Sequence, residues 1–553
     1  MRRLDGVSRI FFSIGLVFLW SGFCSVVFAA GRAVDDDGRL MAQSQVQSAL
    51  LVGDAETPES QILERLESIK ISGARQVDVL RPMIERYFQK FIGKPVSTDE
   101  IEIFKNWLNE EAKQQGFMAY AQTEVVGRQL LIELVVPRVN SVKVFANDAS
   151  LTDLYARELS RRFEDAFKAG TLVDVLALEN KLDEVSFYLP LEMEVTIRPV
   201  GPELLDLLVN VTAIPSRTGE LSGGVIQLNN YGLRQYGRTQ AMLQLSVGGH
   251  IPTAKMSLTG QKSEGISYGH VDYDMPVSLL QSRLRAGLGG SLSQGVTGGQ
   301  SVTRAHSSDA LLGLDKVLGY RGNAVIKTGL DMTERRTRSD LASTGVEINR
   351  LQDRQLRLKL SIDNEKLSLE PMRFELVVTA GQYAEVVNMP NILPGAYSRV
   401  ELNGRKQLNF TADGAVFSLL RLRGVANSRH VDSANQISLG GIGGVKAYTS
   451  ADGMGDDGAV GTLELNFRTA PTQTLGIFYD AGVVRPSKTV ITGIYPHTFS
   501  LQALGAQINA SFGAWYYAAV LAKGIGGNRS VQPTDTESSP NNWRVHVSLT
   551  HAF

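Results

Sequence analysis

The spacing of apolar residues changes character near residue 215 of the chain. Before that point, stretches with apolar residues every three or four positions, typical of helices, alternate with short strand-like stretches. After it, apolar and polar residues alternate in short segments separated by Gly, Asn, Asp and Ser. Alternation with a period of two is typical of strands whose two faces meet different surroundings. The pattern therefore predicts an α+β region followed by an all-β region.

The first region contains one order of elements twice, strand–helix–helix–strand–strand. The predicted strands are 66–72, 118–126 and 129–136 in the first copy and 139–146, 191–199 and 204–214 in the second. Pro137 separates the copies, which cover residues 66–137 and 138–215. This is a repeat of architecture and not of sequence.

Apolar stripes and one capping pattern place the helices between these strands. Ser97 and Glu100 have the spacing of a capping box, in which the hydroxyl and the carboxylate each satisfy a free backbone amide. In the second copy, Thr152 can cap one helix, and residues 172–187 predict another. The stripes, interpreted as core, are Leu80, Ile84, Tyr87, Phe88 and Phe91; Ile101, Phe104, Leu108 and Ala112; Tyr155, Leu159, Phe163 and Ala166; and Val175, Leu176, Leu182 and Val185. A binding function of these domains would then come from exposed strand edges, which can accept an extended peptide.

The second region, residues 216–553, predicts a membrane barrel. At about 21 residues for a membrane strand and its turn, it accommodates roughly sixteen strands. The last segment shows the alternation: Trp543, Val545, Val547, Leu549 and Phe553 share one face, opposite Arg544, His546, Ser548 and Thr550. A soluble sandwich would show the same alternation with its apolar face buried. The terminal strand and the N-terminal segment favour the barrel, and a bore of that size needs something to occupy it.

Residues 1–29 have the features of a secretory signal peptide. Arg2, Arg3 and Arg9 precede an apolar stretch, and Val27 and Ala29 supply a cleavage site. An uncleaved anchor is the alternative. The single cysteine lies inside this segment, so the mature chain would lack disulfides, thiolate metal sites and cysteine catalysis.

Charge and motifs argue against nucleic-acid binding and enzymatic chemistry. The chain has 56 Lys and Arg against 57 Asp and Glu, so no basic excess points to nucleic acid. The seven histidines lack metal-binding spacing, and Gly440 to Gly444 lack the following Lys and Ser/Thr of a phosphate loop. Asp452, Asp456 and Asp457 lack the spacing of a calcium-binding EF-hand. We therefore expect no catalytic residues, no metal and no cofactor.

Together these features resemble the two-partner secretion transporters (TpsB) of Gram-negative outer membranes, the exporters of haemolysins and filamentous haemagglutinin. In that family, two POTRA (polypeptide-transport-associated) domains precede a sixteen-stranded barrel. The resemblance covers about residues 66–553. It implies POTRA domains at 66–137 and 138–215 and a transmembrane barrel at 216–553.

The most specific resemblance lies between Leu439 and Phe467, which is similar to the long sixth loop of the family and its following strand. There, Gly-Gly, a Val-Arg-Gly-aromatic tip and Gly-Asp-x-Gly recur in that order. The matching residues here are Val445, Lys446, Ala447 and Tyr448 at the tip, then Gly455, Asp456, Asp457 and Gly458. The resemblance implies that this loop, near 439–461, folds into the barrel and that its tip pairs with an aspartate on the inner wall.

The matching wall aspartate is Asp480, in the segment GIFYDAG. Alternation independently places Leu475, Ile477 and Tyr479 towards lipid and Asp480 towards the lumen. The tip departs from the family at Lys446, which replaces Arg, and at Ala447, which replaces Gly. Lysine keeps the charge but lacks the two-pronged guanidinium, so we expect a less rigid attachment. The alternative is that Lys446 is a solvated loop residue.

Both ends of the chain carry further resemblances. A terminal aromatic residue such as Phe553 resembles the signal recognised by the barrel assembly machinery. The family also commonly has a pore-plugging N-terminal helix with a linker, to which residues 30–65 could correspond. Residues 38–51 could form the helix, with Met41, Val46, Leu50 and Leu51 as its apolar residues, and the linker could begin at 53–60. Disorder of this segment is the alternative.

The resemblance implies a transporter that secretes one large exoprotein of haemolysin, adhesin or toxin type. Its partners would be this unfolded client, the barrel assembly machinery and outer-membrane lipid, with the POTRA domains in the periplasm. The first alternative is an insertase of the same superfamily, which usually carries three or more POTRA domains. The last is a passive porin, which needs no periplasmic domains.

Overall fold

The structure is a computed structural model that describes residues 65–553, except for short gaps. The gaps are 74–77, 115–117, 147–152, 190, 202, 214–217, 252, 298–299, 365–367, 369, 390, 412–413, 489–497 and 527–542. The predicted signal peptide (1–29), plug helix (38–51) and linker (53–60) lie outside the described residues. Contacts divide the remaining chain into two compact units, one up to Pro215 and one from Ser216.

The first unit begins with a three-stranded sheet covered by two helices. Its elements are β1 (Ser68–Gly73), α1 (Arg81–Gln89), α2 (Thr98–Gln114), β2 (Tyr120–Val126) and β3 (Gln129–Val135). The order in the sheet is β1-β3-β2, with β1 parallel and β2 antiparallel to β3. The capping box is present, because Glu100 accepts from the Ser97 amide (2.8 Å) and the Ser97 hydroxyl accepts from the Glu100 amide (3.2 Å). The predicted stripe of α2 is buried in the core.

The same order of elements follows in the second half of this unit. Its elements are β4 (Arg138–Ala146), α3 (Asp153–Ala166), α4 (Val175–Tyr188), β5 (Leu191–Gly201) and β6 (Leu204–Ala213), with sheet order β4-β6-β5. The buried carboxylate of Asp206 on β6 accepts from Ser141 and Asn140 (2.7 Å each) and from Arg198 (2.9 Å). These hydrogen bonds lower the pKa of Asp206 and tie β6 to both neighbouring strands.

Helix α4 differs from its prediction in two respects. It begins at Val175 and not at residue 172, because the side chain of Asp174 caps it by accepting from the Ala177 amide at 2.9 Å. Leu178, and not Leu176, shares the buried face with Val175. The spacing of buried residues is then regular for a helix.

The second unit is a closed antiparallel barrel of sixteen strands, which confirms the predicted number. The strands are β7 (Leu221–Asn229), β8 (Gln240–Gly248), β9 (Lys255–Lys262), β10 (Ile266–Val277), β11 (Ser282–Thr297), β12 (Gln300–Arg321), β13 (Ala324–Leu341), β14 (Glu347–Asp363), β15 (Met372–Val387), β16 (Gly395–Asn409), β17 (Val416–Asn427), β20 (Asp457–Ala470), β21 (Gln473–Arg485), β22 (Phe499–Phe512), β23 (Trp515–Ile525) and β24 (Trp543–Ala552). Two short strands, β18 (Ile437–Ser438) and β19 (Met454–Gly455), pair with each other between β17 and β20. Pairing of β24 with β7 closes the ring.

The barrel strands expose apolar side chains outwards and hold polar side chains inwards. On β21, Ile477 and Tyr479 are exposed, whereas Asp480 is buried. On β24, Trp543, Val545 and Val547 are exposed and His546 is buried. Both faces were predicted from alternation. Within the described part of the chain, no helix combines the length and the apolar character needed to cross a membrane.

Candidate pore-loop site

The segment 428–456, between β17 and β20, lies inside the barrel. Its side chains contact inward-facing residues of β13 to β16 on one side and of β21 on the other, and its Lys446 carbonyl accepts from β24. The predicted bounds, 439–461, need correction, because the segment leaves the wall at residue 428 and the wall resumes at Asp457. Gly458 is therefore a wall residue, opposite Val425 and Val484. We call residues 428–456 the pore loop.

Close backbone packing shapes the tip of the pore loop and requires its glycines. A Cβ on Gly440 would lie 2.0 Å from the Thr449 carbonyl oxygen, and one on Gly444 would lie 2.1 Å from the Leu439 carbonyl oxygen. The Val445 amide donates to the Leu439 carbonyl at 2.7 Å across this turn. The glycine-rich run is thus a compact turn that presents the next residues to the wall.

Lys446, at the tip of the pore loop, binds Asp480 on β21 through two hydrogen bonds. Its Nζ donates to Oδ1 at 2.8 Å, and its backbone N–H donates to Oδ2 at 3.0 Å. The Thr462 hydroxyl also donates to Oδ1, at 2.8 Å. Lys446 is 3% exposed and Asp480 is 0% exposed, so the solvated-lysine alternative is wrong.

Two aromatic rings complete the surroundings of Lys446. Its Nζ lies 4.0 Å from the centroid of the Phe478 ring, within the range of a cation–π contact. The Nε2 of His546 on β24 donates to the Lys446 carbonyl at 2.7 Å. We call Lys446, Thr462, Phe478, Asp480 and His546 the tip anchor. Lysine is a single-point donor, but its own backbone amide occupies the second carboxylate oxygen, so Asp480 is gripped at both oxygens without arginine.

The neighbours of Lys446 at the tip are buried in an apolar cluster. Val445, Ala447 and Tyr448 are at most 6% exposed. They pack with wall residues of the same cluster, which include Val460, Phe478, Val484 and Leu501. The tip is therefore held by apolar burial as well as by the charge pair.

A second attachment, which the sequence did not reveal, holds the beginning of the pore loop. Arg335 on β13 donates to Asp432 of the loop at 2.8 Å and to Asp353 on β14 at 3.1 Å. Asn435 of the loop donates to both aspartates, at 2.6 and 2.9 Å. Every one of these four side chains is buried.

Two tyrosines supply further donors to the same aspartates. Tyr383 on β15 donates to Asp432 at 2.8 Å, and Tyr397 on β16 donates to Asp353 at 2.9 Å. We call Arg335, Asp353, Tyr383, Tyr397, Asp432 and Asn435 the base anchor. In the sequence, the alternation of the strands places charged residues at the inward positions 335 and 353. The alternation does not show which residues they bind.

Asp456 ties the two ends of the pore loop together. Its buried carboxylate accepts from the Lys488 amide and lies 2.9 Å from the His430 Nδ1. It also accepts from the Val431 amide at 3.2 Å and from the Gln436 side chain at 3.1 Å. Next to it, a Cβ on Gly455 would lie 2.5 Å from the Arg485 carbonyl oxygen. The Gly-Asp motif thus closes the neck of the loop against β21.

The terminal residue Phe553 lies where the barrel closes. Its backbone exchanges hydrogen bonds with Gly224 on β7, at 2.7 and 3.0 Å. Its ring covers the same glycine, since a Cβ there would lie 2.5 Å from the ring. Phe553 therefore extends the last pairing of the ring, and its role as an assembly signal stays a prediction.

No group of three or more His, Cys, Asp or Glu side chains placed to hold a metal ion occurs among the described residues. The contacts described at the site are hydrogen bonds and ion pairs that position a loop.

Comparisons with known proteins give structural likenesses only, since no family model and no curated protein matches the sequence. CdiB from Acinetobacter baumannii aligns with a TM-score of 0.59 and 14% identity, covering 98% of this chain and 99% of that one. CdiB from Escherichia coli aligns with a TM-score of 0.57 and 15% identity, covering 93% and 94%. BamA from Haemophilus ducreyi, lacking POTRA domains 1–3, gives a TM-score of 0.48 at 12% identity, covering 88% of this chain and all of that one. The chain therefore has the fold of CdiB, a sixteen-stranded barrel preceded by an α+β region.

Proposed function

We propose that this chain is an outer-membrane transporter that secretes one large partner exoprotein of the haemolysin, adhesin or toxin type. The observation that carries the proposal is the pore loop inside the barrel, with Lys446 bound to Asp480 at its tip. The pair joins two positions that resemble the family's loop tip and wall aspartate. The fold likeness to CdiB, a TpsB transporter, supports the same function.

The α+β unit would bind the unfolded client in the periplasm. In each sheet the central strand, β3 or β6, is flanked by two edge strands. An edge strand can pair with an extended peptide through backbone hydrogen bonds, which demand little of the peptide's sequence. These domains suit the capture of a long, unfolded chain.

The barrel would provide the path, and the pore loop would control it. Outward apolar side chains suit lipid, whereas the inward polar side chains suit a hydrated bore. A closed barrel of sixteen strands is wide enough for an aqueous channel, so the buried loop occupies space that a client needs. On this proposal the anchors fix the arrangement of the loop, and client folding at the cell surface draws the chain through without nucleotide.

The test is a secretome comparison between a deletion strain and its parent, with outer-membrane protein profiles measured beside it. We expect loss of one large extracellular protein, which accumulates or is degraded in the periplasm. A general fall in outer-membrane barrels would instead indicate an insertase, and unchanged profiles in both fractions would indicate a porin. Complementation with the wild-type chain is the control.

A further inference from the structure

A cleft lies between the two helices of the first α+β domain. It has a volume of about 360 Å³ and is lined by Met83, Arg86, Tyr87, Lys90, Trp107 and Glu111. The lining residues of α1 recur every three or four positions, and those of α2 are four positions apart, so one face of each helix forms the cleft. Met83, Tyr87 and Trp107 are only partly buried against the domain core. The cleft therefore presents apolar surface that the domain core leaves partly uncovered.

The apolar part of the cleft is a pair of stacked aromatic rings. The ring centroids of Tyr87 and Trp107 lie 4.9 Å apart, and the ring planes are inclined by 24°. The Nζ of Lys90 lies 4.6 Å from the Tyr87 centroid, so a positive charge borders the stack. Aromatic rings bury a large apolar area when a ligand removes them from water. The stack is therefore suited to aliphatic side chains of a ligand.

Two cations beside the stack have no carboxylate partner among the described residues. The ion pairs described in this domain are Arg81–Asp78, Lys105–Glu102 and Arg128–Glu67. Arg86 and Lys90 belong to none of these pairs, and both are exposed. Glu111 is the one carboxylate of the lining, and no ion pair joins it to either cation in the described part of the chain. Two cations against one carboxylate favour a ligand that is acidic as well as apolar.

The chain enters this domain next to the cleft. Leu66 forms a parallel bridge with Ile92, held by two backbone hydrogen bonds of 2.7 and 2.9 Å. Because the bridge is parallel, the residues before Leu66 run in the same direction as those before Ile92. Two positions before Ile92 is Lys90, which lines the cleft. The part of the chain that precedes residue 65 therefore starts at the Lys90 end of the cleft.

The residues before this entry point have the composition that the cleft favours. Residues 53–64 lie outside the described residues and have the sequence GDAETPESQILE, with four carboxylates and no lysine or arginine. We call them the acidic linker. Its apolar residues, Ile62 and Leu63, are within four positions of Leu66, at most about 14 Å along the chain. Glu59 is seven positions away, at most about 25 Å, whereas the α1 face of the cleft is about 10 Å long. The acidic linker is thus long enough to extend along the whole cleft.

We propose that the acidic linker binds in this cleft of its own chain. Its apolar residues cover the Tyr87–Trp107 stack, and its carboxylates pair with Arg86 and Lys90. A segment of the same chain acts at an effective concentration of roughly millimolar, so weak contacts suffice to keep it bound against free peptides. Bound in this way, the acidic linker fixes the point from which the N-terminal segment extends and shields the cleft from other ligands.

The test measures the proximity of the acidic linker to Trp107 in the full chain purified in detergent. Cys24, the single cysteine, is replaced by serine, and S60C carries a bimane label, whose fluorescence tryptophan quenches at short range. W107F provides the unquenched reference. We expect the label to be quenched in the parent chain and to brighten in W107F.

Two double variants separate the charged from the apolar contacts. R86Q/K90Q removes both cations, and we expect the ratio of bound to free linker to fall about threefold, the contribution of two exposed ion pairs. I62S/L63S removes both apolar side chains, and we expect that ratio to fall about tenfold or more. Both variants should therefore be brighter than the parent, and I62S/L63S should be the brighter of the two.

The matched control is K70Q/K105Q, which removes the same charge from the same domain. Lys70 is exposed on the face of β1 opposite to the residues that pack on the core, and Lys105 is already in an ion pair. We expect this control to be quenched as strongly as the parent. A label at I103C, which is exposed and four positions before Trp107 on α2, reports folding of the domain. It should stay quenched in every variant that keeps Trp107.

Three results would overturn the proposal. A label at residue 60 that is equally bright with and without Trp107 would show that the acidic linker does not lie in the cleft. Equal quenching in both double variants and the control would show that the chain connection alone keeps the label nearby. Quenching that increases with protein concentration would assign the cleft to the linker of a second copy. The assay contains no client, so its result is independent of the secretome test.

Discussion

The pore loop is attached to the barrel in two places, and the two attachments stabilise their buried charges in different ways. The tip anchor pairs one lysine with one aspartate, so its buried charges balance. The base anchor sets one arginine against two aspartates, Asp353 and Asp432, so its buried charges do not. Hydroxyl and amide donors from tyrosines and Asn435 stabilise the second carboxylate there. A buried excess charge is tolerated only where neutral donors surround it.

The two anchors also engage different sectors of the wall. The base anchor uses β13 to β16, and the tip anchor uses β20, β21 and β24. In the ring, β13 and β24 lie on nearly opposite sides. The loop is thus held from two directions, and release of one anchor leaves it tethered by the other. The comparison predicts that the base anchor mainly stabilises the loop, whereas the tip anchor mainly serves secretion.

The largest loss of stability is expected from Arg335→Ala. It removes the only cation described in the base anchor and leaves two buried carboxylates close together, at an expected cost of about 3–5 kcal/mol. The measurement is urea unfolding of the barrel in lipid vesicles. The matched control is Arg336→Ala, because Arg336 is the next residue on β13 but is exposed, and we expect about 1 kcal/mol or less. Equal losses in the two variants would contradict a structural role of the base anchor.

Asp480→Ala is expected to abolish secretion while the folded barrel remains in the membrane. It leaves the buried Lys446 ammonium without its carboxylate, at a cost of about 3–5 kcal/mol partly relieved as the lysine moves to water. The measurement is client in the culture medium beside outer-membrane levels of the transporter. Asp272→Ala, at a half-exposed carboxylate of β10, is the control and should secrete normally. Normal secretion by Asp480→Ala would show that secretion does not depend on the tip anchor.

Features with local causes were predictable from the sequence. The strand number follows from a period of two, and the capping box from the spacing of Ser97 and Glu100. The start of α4 was wrong because two adjacent signals competed, the apolar residues from Leu172 and the capping side chain of Asp174. Helix propensity alone does not decide between two possible helix starts. The start lies where a side chain first accepts from a free backbone amide of the helix, here at Asp174.

The base anchor could not be predicted because its partners are distant in sequence. Arg335 and Asp432 are 97 positions apart, and their meeting depends on the register of every strand between them. At the tip, the resemblance placed Lys446 opposite Asp480, but the expectation of a less rigid attachment counted only the donors of the side chain. The missing donor is a backbone N–H, which sequence comparison does not show.

The double variant K446M/D480L separates stability from function at the tip. Apolar side chains of similar size in place of a buried ion pair are often neutral or stabilising, so we expect a change within about 1–2 kcal/mol of wild type. Secretion should nevertheless remain lost, because the directional bonds to the loop are gone. Unfolding and secretion are measured on the single and double variants together. A double variant that secretes normally would show that the apolar cluster around Val445 and Tyr448 positions the tip by itself.

The smallest effect is expected from Lys446→Arg, alone or with Ala447→Gly. A bidentate guanidinium needs both oxygens of Asp480, but the backbone N–H of residue 446 already occupies Oδ2 and the Thr462 hydroxyl shares Oδ1. Arginine would therefore gain one bond by displacing another, and we expect stability and secretion to change little, by less than about 1 kcal/mol. Urea unfolding and the client assay measure both. An increase in the free energy of unfolding above about 2 kcal/mol would show that a guanidinium fits beside the amide. Lysine would then bind the tip less tightly than arginine can.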